Sequence, residues 1–369
     1  MYQSFELRNF RCFSRLPLTD LNRVNLIAGM NNIGKTTLLE ALFIHAGAFN
    51  PELTIRINAF RGFEKVKVEL NTWAEMPWNS LFHQFDVSKI IEIIGKDTTT
   101  GERSLKLRQI TKAEDRLRLE KHISSISAAS QPSLEYEKPL RALENSVPPK
   151  AIELEYREKG NCKSYFLYVD QGGLHTVPPP PAPPFPAFFL GTRTSISFEE
   201  QAERFGKLEI EGIDEVVLGA LQVIEPRLRR LTVVVVNGQP VLHADVGEGR
   251  LMPLPLMGEG MVKLANLITN IGNAPKGVLL IDEIENGLHH SILPKVWRAI
   301  GEAARQFNAQ VFATTHSLEC IVAAHRAFVE SKTYDFRLHR LERVKGEIKA
   351  LTYEQEALNA AIETGLEVR

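Results

Sequence analysis

Short, uninterrupted apolar runs punctuate an otherwise mixed chain, and four of them have the length of buried strands. These are Val24-Asn25-Leu26-Ile27-Ala28, Ala187-Phe188-Phe189-Leu190, the residues leading to Leu279-Leu280-Ile281, and Gln310-Val311-Phe312-Ala313-Thr314-Thr315. Runs without polar alternation fit strands covered on both faces, as in parallel sheets. The first passes into the helix-like Thr37-Leu38-Leu39-Glu40-Ala41-Leu42, and residues 288–308 supply a helix-length crossover between the last two. A right-handed βαβ unit would set those two strands side by side.

Elsewhere the period is two. Lys65-Val66-Lys67-Val68-Glu69-Leu70 alternates, and residues 64–110 suggest sheet added to the N-terminal lobe. Residues 151–170 read as a hairpin, and residues 231–236 and 241–245 flank an Asn237-Gly238 turn, a strong two-residue hairpin signal. Residues 111–148 are charged and Ser-rich, with helical propensity over 112–119. Residues 178–186 hold seven prolines, which excludes helix and central strand and predicts a stiff spacer or an exposed loop.

The chemistry sits at the ends of the apolar runs. Gly29-Met30-Asn31-Asn32-Ile33-Gly34-Lys35-Thr36 fits G-x-x-x-x-G-K-[ST] between a strand and a helix, where the mechanism needs it. Gly29 and Gly34 let backbone N–H groups turn inward onto phosphate, and the helix start adds its positive dipole. Asn31, Asn32, Gly34, Lys35, Thr36 and Thr37 are the expected ATP-binding residues. Lys35 would reach the β- and γ-phosphates, while Thr36 and Asp282 would hold Mg²⁺. Glu283, beside Asp282 at a strand's carboxyl end, would polarise the attacking water. His316, at the end of the neighbouring strand, would face the γ-phosphate. Gly258, Glu259 and Gly260 open a helix over 261–271 whose N–H groups could meet a γ-phosphate.

This order of segments resembles the ATP-binding-cassette class of ATPase, in the branch that includes RecF, the SMC proteins and the OLD-family ATPases. Residues 5–13, Phe5-Glu6-Leu7-Arg8-Asn9-Phe10-Arg11-Cys12-Phe13, are similar to the branch's first strand and turn, which implies that Arg11 lies near the nucleotide. Asp282-Glu283-Ile284-Glu285-Asn286-Gly287-Leu288-His289 is similar to its Walker B and D-loop, and Ala313-Thr314-Thr315-His316-Ser317 to its switch-histidine loop. Compact bacterial AAA-15/AAA-21-type proteins show a similar stretch at 223–228 and a similar run to Gly260. The signature loop departs from the branch's pattern: Leu256 stands where a Ser usually lies two residues before the glycine, which points to slow hydrolysis. Gln84 is the candidate γ-phosphate-sensing glutamine by position, and Arg193 would face the nucleotide edge or a partner.

The resemblance implies an α/β fold, an ABC-ATPase head of the P-loop NTPase type built from both chain ends, with an inserted mixed α+β accessory lobe. The expected division is 1–110, 111–186 and 187–369. Related heads pair head to tail, so each ATP would lie between Lys35 of one protomer and Gly258 of the other. The implied function is ATP-gated assembly that controls a separately encoded effector such as a nuclease or toxin, in bacterial anti-phage defence. The rival readings are a DNA-end-binding repair ATPase and a non-hydrolysing scaffold stabilised by ATP.

Composition adds limits. Of 369 residues, 44% are hydrophobic and 24% charged, ordinary for a globular protein long enough to bury a large core. No apolar run reaches the roughly 18 residues of a membrane span, and the N-terminus carries charge in place of a signal peptide, so a cytoplasmic protein is expected. Cys12, Cys162 and Cys320 are isolated, which excludes a disulfide framework or a zinc hook. A net charge of −1 neither supports nor excludes DNA. With 53 residues after His316, the acid-rich Toprim domain of OLD nucleases is not expected in the same chain.

Overall fold

A computed structural model describes residues 1–59, 61, 76–99, 101–129, 150–170, 173–192 and 196–369. The alternating residues 65–70, residues 130–148 of the Ser-rich stretch and Arg193 lie outside the described residues. The chain opens with β1 (Tyr2–Phe10), β2 (Phe13–Leu18) and β3 (Val24–Gly29), then α1 (Lys35–Ala46) and α2 (Leu53–Ala59). Next come β4 (Ile91–Asp97), β5 (Gly101–Gln109), α3 (Ala113–Ala129), β6 (Lys150–Glu158), β7 (Asn161–Asp170) and β8 (Gly173–Val177). Beyond the prolines lie β9 (Ala187–Leu190), α4 (Phe198–Ile210), α5 (Glu215–Gln222), β10 (Arg230–Val236), β11 (Gln239–Asp245) and β12 (Met252–Pro253). The last part holds α6 (Glu259–Gly272), β13 (Val278–Ile281), α7 (Leu293–Gln306), β14 (Gln310–Thr314), α8 (Leu318–Val329), β15 (Phe336–Val344), β16 (Glu347–Tyr353) and α9 (Gln355–Glu363).

The four apolar runs are neighbours in one six-stranded sheet of order β16-β15-β3-β14-β13-β9. All its pairings are parallel except that of the edge strand β16. Only β3 comes from the N-terminal part, so the α/β sheet is built from both chain ends as expected. Alternate residues of each strand meet different layers. Leu26, Leu279 and Val311 pack with Trp297, Leu264 and Ile268 of the outer helices, whereas Ile27, Leu280 and Phe312 pack with Leu38 and Leu42 of α1. Burial on both faces explains why these strands carry no polar alternation.

The second large sheet is antiparallel, with seven strands in the order β2-β1-β4-β5-β6-β7-β8. It crosses residue 110 without a break, because β5 pairs directly with β6 from Arg103–Glu158 to Gln109–Ile152. Its inner face, including Phe5, Leu7, Ile93 and Leu154, closes the same core that holds α1 and the parallel sheet. Helix α1 therefore lies between two sheets and buries Leu38, Leu39, Leu42 and Ile44 together with Glu40 and His45. A helix apolar on nearly all sides is the form a sandwiched helix takes.

Polar groups tie the layers where they converge. Tyr2 Oη lies 2.7 Å from His45 Nδ1, and the Tyr2 backbone N–H donates to Gln310 Oε1 at 2.7 Å, linking β1 to α1 and to β14. The proline run has no helix or strand and carries the chain from β8 of one sheet to β9 of the other. It is anchored by Phe185, whose ring meets Tyr2 edge-on at 5.9 Å and lies 4.9 Å from the Arg103 guanidinium. The Asn237-Gly238 turn joins β10 and β11 in a three-stranded sheet with β12. Among the described residues, no helix is long and apolar enough to cross a membrane.

Two buried histidines make stability pH-dependent. Burial, reinforced by the nearby Arg103 charge, pushes His45 down to about 3 from its ordinary 6.5. Burial and Arg337 bring His339, bonded to Thr352 and 3.4 Å from Asn25, down to about 4. Both stay neutral in the fold, so as pH falls through 6.5 only the unfolded chain gains protons and stability is lost. Lowering pH from about 7.5 to about 5.5 should cost roughly 1.4 kcal/mol per histidine. Urea unfolding at the two pH values reads this directly, and equal midpoints would show that neither ring is held neutral.

Candidate nucleotide site

The loop between β3 and α1 has a backbone that side chains resist. Gly29 has φ 141°, Asn32 φ 61° and Gly34 φ 102°. A Cβ on Gly34 would lie 2.6 Å from Cys12 Sγ, and one on Gly29 would lie 2.6 Å from the carbonyl oxygen of Leu341. The loop is thus pressed between the β1–β2 turn and β15, where only glycine fits. Helix α1 begins at Lys35 with no side-chain cap and no acidic residue in its first turn. Its first N–H groups and the positive end of its dipole are left to meet an anion.

Lys35 curls back over the loop, its ammonium donating to the carbonyls of Gly29 at 2.6 Å and Met30 at 3.0 Å. Thr36 Oγ1 donates to the Asp282 carboxylate, 3.0 Å from either oxygen, and Thr314 Oγ1 donates to Asp282 Oδ1 at 2.6 Å. Residues 246 positions apart in the chain therefore meet at one point, the Thr36–Asp282 contact. Burial raises the Asp282 carboxyl above the usual range against the pull of those two hydroxyls. Burial also lowers the Lys35 ammonium, against the attraction of Asp282, Glu283 and Glu285. A hydroxyl and one carboxylate are the sparse protein ligand set that Mg²⁺ commonly accepts when phosphate and water complete its shell. The glycine cradle, the uncapped helix and this donor pair fit Mg-ATP.

Glu283 follows Asp282 in a left-handed conformation, φ 49°. Its N–H donates to Thr314 Oγ1 at 2.8 Å, and Asn286 Nδ2 donates to its Oε2 at 2.6 Å. His316 lies next to Glu285, not Glu283: Glu285 Oε1 accepts from the His316 backbone N–H at 2.9 Å and stands 3.0 Å from Nδ1. Half of the His316 side chain stays exposed.

Other expected residues lie apart from this cluster. Gly258 begins α6 at φ 104°, exposed, and no hydrogen bond among the described residues joins Gly258, Glu259 or Gly260 to the loop of their own chain. Leu256 beside them is 74% exposed. Asn31 and Asn32 lie on the open side of the loop, while Thr37 is buried and accepts from Arg61 Nη2 at 3.2 Å. Arg11 is turned to helix α1: its Nε stands 3.3 Å from the wholly buried Glu40, and its Nη2 donates to Asn58. Arg61 grips the other Glu40 oxygen at 2.7 Å. Gln84 lies exposed in a left-handed turn, with no hydrogen bond to Thr36 or Asp282 among the described residues.

Four contributors escaped the sequence reading: Thr314, Glu285, the Glu40–Arg61 pair, and Lys263, whose Nζ donates to the carbonyls of Glu283 and Asn286. Thr314 and Glu285 lie within the strand-end segments 313–317 and 282–289, and a polar residue closing an apolar strand beside the Asp-Glu strand is the available signal. Lys263 and Arg61 act through contacts with residues distant in the chain, for which no local pattern exists.

The family AAA_21, described as AAA domain, putative AbiEii toxin, Type IV TA system, matches residues 24–321. A curated relative from Helicobacter pylori (strain ATCC 700392 / 26695), named ATP/GTP phosphatase, is 22% identical over 332 residues, spanning 87% of this chain and 86% of that protein. Among solved structures, an SMC head bound to the C-winged helix domain of ScpA is 12% identical with a TM-score of 0.47, over 98% of this chain and 99% of that one. The SMC head domain from Thermotoga maritima is 13% identical with a TM-score of 0.42, over 96% and 99%. The loop Gly29–Thr36 and the Asp282–Glu283 strand end both fall inside the matched span, and the chain belongs to the AAA_21 family of ATPases.

Proposed function

We propose that this ATPase hydrolyses Mg-ATP at the loop Gly29–Thr36, and that two heads close around the nucleotide to control a separately encoded effector. The observation that carries the reading is the Thr36–Asp282 contact at the uncapped start of α1, which sets both expected metal ligands beside the phosphate cradle. The relative named ATP/GTP phosphatase supports nucleotide hydrolysis. The toxin–antitoxin wording of the family description supports work with a second component; a bacterial defence role in the cytoplasm is part of the same proposal.

In this reading Lys35 leaves the two loop carbonyls for the β- and γ-phosphates, a charge-assisted exchange. Thr36 and Asp282 would hold Mg²⁺, which offsets phosphate charge when bound. Glu283, oriented by Asn286, accepts the proton of the attacking water at its carboxylate. Glu285 fixes the His316 ring through Nδ1 and leaves Nε2 to face the transferred phosphoryl group. The partner's Gly258 region supplies the opposite wall, so ATP links the two chains and acts as a dimerisation switch. Leu256 offers no hydroxyl to that wall, in keeping with slow turnover.

Glu283→Gln keeps the shape and the bond from Asn286 but removes the base. It should bind ATP, lose at least about a hundredfold in turnover, and accumulate as the closed pair. Hydrolysis at the parent rate would remove Glu283 from the catalytic role.

A mixing experiment separates the two halves of the composite site. Gly258→Arg should bind ATP yet neither pair nor turn over, because the side chain blocks the backbone's approach to the neighbouring phosphate. Lys35→Ala should weaken Mg-ATP binding at least about tenfold. A mixture of the two variants places both lesions in one site and leaves the other intact, so it should regain ATP-dependent pairing by light scattering. Full pairing and hydrolysis by Gly258→Arg alone would reduce residues 256–260 to a helix start.

A further inference from the structure

Glu283 is held in a backbone region that non-glycine residues seldom occupy, at φ 49°. Such a conformation costs about 1–3 kcal/mol and persists only where the surroundings over-determine it. Two constraints hold it, Thr314 Oγ1 accepting from its N–H and Asn286 Nδ2 donating to its carboxylate. The third comes from another element: Lys263 of α6 donates from Nζ to the Glu283 carbonyl at 3.4 Å and, more closely, to the carbonyl of Asn286. The lysine therefore spans the ends of the turn that aims Glu283, and Asn286 is the residue that orients the carboxylate. A second contact runs alongside: a Cβ on Gly287, φ 73°, would lie 2.5 Å from Glu259 Oε1 in the first turn of α6.

We infer that Lys263 is a positioning residue that clamps the 283–286 turn to helix α6, so that the carboxylate of Glu283 is aimed only while α6 is seated. The inference rests on the proposed role of Glu283 and deepens it. Helix α6 begins at the Gly258 loop, so a displacement of that loop is passed to the catalytic turn of the same chain through the Lys263 ammonium. Burial pulls that ammonium below the usual lysine range, and Glu285 and Glu259 draw it back. The four-carbon stem and three donors suit a bridge between two carbonyls.

The test compares steady-state and single-turnover hydrolysis, with ATP affinity by calorimetry, in the full chain. Lys263→Met should lower kcat by about ten- to a hundredfold while KM and the ATP Kd stay within about twofold, the pattern of a misaimed catalytic group in an intact binding site. Lys263→Arg, which keeps the donors, should recover most of the rate. Should Lys263→Met fail to fold, Lys263→Gln, with one donor arm, should give an intermediate kcat at parental ATP affinity. In a Glu283→Gln background, Lys263→Met should remove nothing further, because both lesions act on one group. A parental kcat in Lys263→Met, or a loss additive with Glu283→Gln, would overturn the clamp. Parental turnover in Glu283→Gln itself would overturn the underlying reading, whereas parental turnover confined to Lys263→Met would overturn only the clamp.

Discussion

The burial of α1 between two sheets is the constraint on which the site depends. Its apolar residues meet the parallel sheet through Leu280 and Phe312 and the antiparallel sheet through Phe5 and Ile93. Neither sheet can shift without opening the core around Leu38 and Leu42, so the start of the helix, with Gly34, Lys35 and Thr36, is held as rigidly as the core. Glu40 adds a directional lock. It is wholly buried one turn past Thr36, and Arg11 and Arg61 reach its two oxygens from different parts of the N-terminal region. Loss of either arginine would leave the buried carboxylate with one cation in place of two, a destabilising change. Arg11 thereby acts on the nucleotide loop through the helix that carries it.

The charges at the site are arranged against their own stability. Burial raises Asp282 and lowers Lys35, so each group is stabilised less in its charged form than it would be in water. Their partners are hydroxyls and carbonyls of the loop, not each other. In the proposed reading the groups receive opposite charges from outside the chain: phosphate oxygens for Lys35 and a divalent cation for Asp282 and Thr36. A desolvated site makes those exchanges worth more than they would be at an exposed surface.

The phosphate loop, the Asp-Glu strand end and the histidine strand were legible because each is local. Their spacing repeats backbone geometry, glycine for positive φ and apolar residues for a strand covered on both faces. The parallel sheet followed, since four such runs have no other shared home. Pairing of β5 with β6 was not legible, because 40 residues separate Gln109 from Lys150 and the strands meet only through antiparallel register. The same limit hid Lys263, whose partners lie 20 and 23 positions away, and Arg61, which reaches Glu40 from the end of α2. Periodicity finds the face of an element, but an ion pair between two elements leaves no period.

The two halves of the proposed composite site differ in how their own chain explains them. Gly29 and Gly34 need to be glycine for reasons internal to the fold, since a Cβ on either would collide with Leu341 or Cys12. Gly258 meets no such obstacle. Its φ of 104° disfavours other residues, yet a Cβ there would meet no atom within 4 Å. The apolar side chain of Leu256 stands in solvent two residues before it, and Met30, on the phosphate loop, is 80% exposed. Gly258 thus presents bare backbone to open space, with the exposed Leu256 two residues away. A second head seated over the loop would cover both side chains and use the bare backbone of Gly258, which is the physical support for the trans reading.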